Sequence, residues 1–168
     1  MRLAKIIIQA CAVLIALALA FGGYAYLKER AVTDYKETTL QGFQASSLSD
    51  VVAALKAAPS MKCTEDHSDF NSASRVTSYH HKGMARLAFT NLTDGKSQYW
   101  VIRDDELYVW SDDSEAIVRL RAGTDSSTQS LGEILPPLFV NAQCAVWWKP
   151  NLRAFDIPAS KPIVDYDR

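Results

Sequence analysis

Between Lys62 and Arg121 apolar and polar residues alternate in short runs broken by turn-forming clusters. The runs read as six strands: Lys62 to His67, Arg75 to His81, Met84 to Asn91, Ser97 to Arg103, Glu106 to Ser111 and Ala116 to Arg121. The dividers "SDFNSAS", "KG", "LTDGK", "DD" and "DDSE" are short enough for hairpins, so the spacing predicts an antiparallel meander. Ahead of it, "SSLSDVVAALKAAPS" offers Ser49 as an N-cap, a stripe of Val51, Val52 and Leu55, and a stop at Pro59. That pattern predicts an amphipathic helix from Leu48 to Ala57 with one face to lay on a sheet.

The middle strands depart from simple alternation. In "QYWVIRDDELYVW" one parity holds Tyr99 and Val101 and the other Trp100 and Ile102, then Leu107 and Val109 against Tyr108 and Trp110. A half-buried antiparallel sheet has one apolar face and one polar face, so a second layer must cover the other side. Either the C-terminal tail supplies it, or the face binds a partner or an apolar ligand. Ser127 to Gln143 reads as a helix or loop. The tail that follows, "CAVWWKPNLRAFDIPASKPIVDY", sets Trp147, Trp148, Phe155, Ile157 and Ile163 among Pro150, Pro158 and Pro162. Proline favours an extended wrap there over a helix or a central strand.

The N-terminus is of another kind. Ile6 to Leu27 carries one polar side chain, Gln9, and no charge before Lys28. As a helix it would extend roughly 33 Å, against a bilayer core of about 30 Å. The segment reads as an uncleaved membrane anchor, or as a long signal peptide cut after the small-x-small triplet Ala18-Leu19-Ala20. Cys11 lies within the apolar run, too early and behind the wrong residue, Gln9, to be a lipidation site. The expected organisation is an anchor over 1–30, a polar linker over 31–47 and one α+β domain over 48–168, outside the cytoplasm at the cell membrane.

Cysteine usage bears on the same question. Beyond the anchor only Cys63 and Cys144 remain, with no C-x-x-C and no zinc-type spacing. A lone pair suits a disulfide in an oxidising compartment; two buried thiols in a cytosolic domain is the other reading.

Charge and motifs narrow the function by exclusion. The chain has 18 basic and 19 acidic residues, with no basic run to attract nucleic acid or a membrane surface. Its glycines form no phosphate-cradling loop, and no G-x-S-x-G elbow is present. There are three histidines in all, and two are adjacent, His80 and His81. Neighbours in a strand point to opposite faces, so this pair reads as the corner of a hairpin at Lys82-Gly83 and not as a metal site. No catalytic constellation, metal site or cofactor is expected.

The order of anchor, helix, "MKCT" at Met61 to Thr64, "KGMARLAF" at Lys82 to Phe89, "VIRDDELYVWSDD" at Val101 to Asp113 and "CAVWWKPNLRAFDIP" at Cys144 to Pro158 resembles a group of short, membrane-anchored bacterial proteins. The pattern from about Leu48 to Tyr166 also resembles the periplasmic lipoprotein-carrier superfamily, LolA-like and LppX-like. The resemblance implies a curved antiparallel sheet packed by one or two helices, with an extended Pro-rich tail, and a lipid acyl chain or other apolar ligand held against the sheet. Tyr99, Trp100, Ile102, Tyr108 and Trp110 are the expected lining. A scaffold that meets another envelope protein is the alternative.

Overall fold

The structure, a computed structural model, describes residues 2–35, 48–69, 72–121 and 142–166, with side chains in the first helix from Val13 onward. The first helix, α1, runs Arg2–Tyr35, and α2 runs Leu48–Ala57, the expected span, with Ser49 inside its first turn and not at the N-cap position expected of it. The side chains of Val51, Val52 and Leu55 lie outside those described.

Eight strands follow: β1 Met61–Asp69, β2 Ser72–His81, β3 Met84–Asn91, β4 Ser97–Arg103, β5 Glu106–Ser111, β6 Ile117–Arg121, β7 Gln143–Val146 and β8 Ile163–Asp165. They form one sheet in the order β7-β1-β2-β3-β4-β5-β6-β8. The fold is therefore α+β, and the sheet is antiparallel except where β8 joins β6 in parallel. The meander from β1 to β6 closes with tight turns. Lys82 and Gly83 have φ of 48° and 79°, and Asp104 and Asp105 have 54° and 62°. Left-handed residues at both central positions match the right-handed twist of the flanking strands. At Gly83 glycine also answers a packing demand, because a Cβ there would stand 3.2 Å from Cγ of Lys56 in α2.

Two thin layers clothe the two faces of the sheet. On the first, Met61, Cys63, Val76, Ala85, Leu87, Trp100, Ile102 and Leu107 form a buried cluster with Val32 and Tyr35 of α1 and Ala58 behind α2. On the second, Val101, Tyr108, Trp110 and Ile117 enclose Phe155 from the tail. The tail crosses this second face from one edge of the sheet to the other. It leaves β7, forms a 3-10 helix at Leu152–Phe155 capped by the Asn151 side chain, and ends in β8. We call it the strap.

Both ends of the strap are fastened. Cys63 and Cys144 face each other across the β1–β7 register and are joined by a disulfide. At the far end Lys161 Nζ donates to the carbonyl oxygens of Ser111, Asp112 and Ser114 at 2.7, 3.2 and 2.7 Å. Arg119 then pairs with Asp165 of β8 through two parallel hydrogen bonds of 2.7 and 3.0 Å. The prolines behave as expected: the tail adds only short edge strands, where a missing N–H breaks no ladder.

The expected linker over 31–47 is corrected at its start. Helix α1 continues through the charged turn to Tyr35; Val32 and Tyr35 are buried in the core, and the Tyr35 hydroxyl donates to the Ala54 carbonyl at 2.9 Å. Glu29 and Arg30 face solvent while Val32 and Tyr35 recur at helical spacing toward the sheet, so the charges do not end the helix. Residues 36–47 lie outside the described residues, as does the expected helix or loop from Ser127 to Gln143 up to position 141; at its end the expectation is corrected, because Gln143 begins strand β7. Among the residues whose side chains are described, no helix is long and apolar enough to cross a membrane.

Candidate binding cleft on the strap face

The five aromatic and aliphatic residues expected to line one site are divided by the sheet. Trp100 and Ile102 point into the helix-covered core, 4 % and 1 % exposed. Tyr99, Tyr108 and Trp110 point to the strap side, where Tyr99 stacks on Trp110 with ring centroids 5.4 Å apart. Parity along β4 and β5 requires this division. The apolarity on both faces is thus largely spent on self-coverage, and these residues do not form a common surface.

An opening remains where the strap leaves β7. It is an open-sided cleft of about 470 Å³ between the outer face of β2 and β3 and the strap. Thr77 and Tyr79 of β2, Arg86 of β3, and Trp147, Asn151 and Arg153 of the strap line it. The Tyr79 and Trp147 rings lie 5.1 Å apart, and Trp147 leans on Phe155 at 6.0 Å. One wall is therefore aromatic and anchored in the strap-side core. Among the described residues two arginines line the cleft, and no carboxylate does.

Arg86 is the most constrained of these groups. Its guanidinium carbon lies 4.9 Å from the centre of the Tyr99 ring, and Nη1 donates to the Ala154 carbonyl at 3.1 Å. Nε is enclosed and has no acceptor among the described residues. A guanidinium held by an aromatic face and a carbonyl is set in orientation before any ligand arrives.

The histidines divide as their parity demands. His80 is buried on the helix-covered face, where Nε2 lies 3.0 Å from the Ser78 hydroxyl oxygen, and burial pushes its pKa down to about 4. His81 points to the other side, with Nδ1 2.6 Å from the Ser60 hydroxyl oxygen; its pKa is lowered by desolvation and then by Lys82 and Lys28. Among the described residues no three His, Cys, Asp or Glu side chains are grouped to hold a metal ion.

A second polar cluster lies toward the β8 edge of the strap side. Tyr108 donates a short hydrogen bond to Glu106, which also accepts from Arg121 at 3.1 Å. The Tyr108 bond, with those of Arg121 and the charge of Arg119, holds the Glu106 carboxyl below its usual range, and Asp165 is lowered in turn by Arg119. Every cation here has its carboxylate, which makes this a structural network and leaves nothing for a ligand. No protein-family model, curated protein or solved structure matches the chain, so the cleft is read from its own residues.

Proposed function

We propose that this chain is a membrane-anchored binding module without catalytic chemistry, and that the strap cleft holds an amphipathic ligand such as a lipid. The observation that carries the reading is the cleft itself. Its volume falls within the roughly 300 to 1,000 Å³ of small-molecule sites, and it combines an aromatic wall with a few convergent polar groups. The apolar part of a ligand would lie along Tyr79 and Trp147. A sheet curved around that part, as in the carriers, belongs to the same proposal.

The N-terminal helix supports the anchor. Val13, Leu14, Ile15, Leu17, Leu19 and Phe21 are each more than half exposed, an apolar area that water-facing surfaces rarely show. The span proposed is Ile6 to Leu27, and it counts residues 6–12, whose side chains lie outside those described. Near its end Tyr24 leans on Trp148 of the strap at 6.1 Å, and Lys28 Nζ lies 5.0 and 5.4 Å from the two ring centres. Aromatic rings beside a lysine are the side chains of a bilayer interface, which would bring the strap to the headgroup level of the extracytoplasmic surface.

Native mass spectrometry of the full chain released from neutral detergent micelles tests the reading. A lipid-sized adduct that survives release supports it; a bare protein that also takes up no added amphiphile overturns it. A second reading, an envelope scaffold, is favoured by one feature: Ile163, Val164 and Tyr166 stand about half exposed along the last strand at the sheet edge, open to another strand. Cross-linking at Val164 that captures no envelope protein in intact cells would remove it.

A further inference from the structure

We propose that the strap cleft is an oxyanion site, in which a carboxylate or phosphate oxygen is bound by Nη2 of the Arg86 guanidinium with Arg153 at the mouth. The inference rests on the cleft being the binding site and adds the chemistry of the group it recognises.

The argument starts from how arginines are used elsewhere in this molecule. Arg30, Arg75, Arg103, Arg119 and Arg121 each pair with a carboxylate, those of Asp34, Asp66, Asp104, Asp165 and Glu106. Arg75 and Arg119 do so identically, with Nε and Nη2 donating at 2.7 and 3.0 Å to the two oxygens of one aspartate. Among the arginines whose side chains are described, Arg86 and Arg153 alone pair with no described carboxylate, and both line the cleft. Two arginines thus stand at one concave spot without a carboxylate among the described residues, in a chain with slightly more acidic than basic residues.

One donor group of Arg86 is left for a ligand, Nη2, which Arg75 and Arg119 also use on their aspartates. Nη1 is committed to Ala154, Nε is enclosed without an acceptor, and Nη2 has none among the described residues. Because Nε is shut off from solvent, an anion entering the cleft is met through Nη2, whose N–H groups suit a carboxylate or phosphate oxygen. A partly buried cation with unmet donors is costly to fold around, and an anion that fills the cleft meets the donors and the charge together. Neutral donors stand ready beside it. The Asn151 side-chain oxygen Oδ1 accepts from the Arg153 backbone N–H at 3.1 Å, so its NH2 group remains to donate, and Thr77 offers a hydroxyl.

Titration calorimetry on the full chain in neutral detergent, with micelle-only heats subtracted, tests this with three probes: octanoate, octan-1-ol and inorganic phosphate. The expected result is binding of octanoate at least about tenfold tighter than of octan-1-ol, with the difference abolished in Arg86→Gln and retained in Arg103→Gln. Arg153→Gln, an exposed change that spares the packing around Tyr99, should lower the octanoate preference in part, and it carries the test should Arg86→Gln fail to fold. If octanoate binds and phosphate does not, the anion is a lipid headgroup. If phosphate binds alone and requires Arg86, the site takes a free anion, and the amphiphile reading falls while the oxyanion site stands. Equal binding of octanoate and octan-1-ol overturns the oxyanion site and leaves the amphiphile reading intact, and no binding of any probe overturns both.

Discussion

The two faces of the sheet are closed by different means. On one, Val32 and Tyr35 of α1 and Ala58 just after α2 join Leu87, Trp100, Ile102 and Leu107 in one buried cluster, and the described polar groups among them are few: Ser78 and His80, which meet each other. On the other, a strap of single-chain thickness covers Val101, Trp110 and Ile117 with Phe155, and where it is too narrow the cleft opens. A helix buries a stripe with its own backbone hydrogen bonds made internally, so it seals well. An extended, proline-interrupted strap makes few such bonds and leaves arginine side chains and aromatic edges at its margin. The place to look for binding is the face covered by the weaker seal.

Breaking the strap at its disulfide should have the largest effect. Cys63→Ala with Cys144→Ala releases a closed loop with a sequence separation of 81 and, by chain entropy, costs about 4 to 5 kcal/mol in chemical denaturation. A loss under about 1 kcal/mol would mean that β7 is held by its ladder alone. Next is Phe155→Ala, expected to cost about 4 kcal/mol against about 3 for Leu87→Ala on the helix side, since both side chains are almost wholly buried. Near-equal losses make the strap side true core; a Phe155→Ala cost below about 1 kcal/mol would make the strap a surface flap.

Acid separates the faces further. The pKa of His80 falls from 6.5 to about 4 on folding, so the unfolded chain binds the extra proton, and stability present above pH 6.5 declines as pH falls toward 4 by roughly 3 kcal/mol. Denaturation curves at pH 7 and pH 4.5 should show this drop, and His80→Gln should flatten it. The carboxyls of Glu106 and Asp165 on the strap side are lowered, so their contribution is kept through this window and is lost only below about pH 4. The smallest expected effect is Asp165→Asn, which opens an exposed ion pair and should cost less than about 1 kcal/mol while freeing β8 for earlier amide exchange.

Much of the architecture was legible because local signals agreed. Lys82-Gly83 and Asp104-Asp105 between alternating runs placed two hairpins, and Pro59 placed the end of α2. The strands of the tail were not legible: β7 and β8 have four and three residues, and their place at opposite edges is set by the disulfide and the Lys161 bonds, both tertiary. Apolarity on both faces announced a second layer without saying what it was. The cleft residue Arg86 gave no signal, since a charged residue alternating with Ala85 and Leu87 reads as an ordinary outward position; only its missing carboxylate, a property of three dimensions, sets it apart.

The strap also has a consequence in time. Cys63 is made early and its partner 81 residues later, and both edge strands come from the tail. During synthesis the six-strand meander therefore emerges with two bare edges and a reduced thiol, and remains in that state until β7 and β8 arrive. Open edges recruit other strands. The molecule is most exposed to mispairing before β7 and β8 are in place, and the speed with which the Cys63–Cys144 bond closes becomes part of what decides its yield.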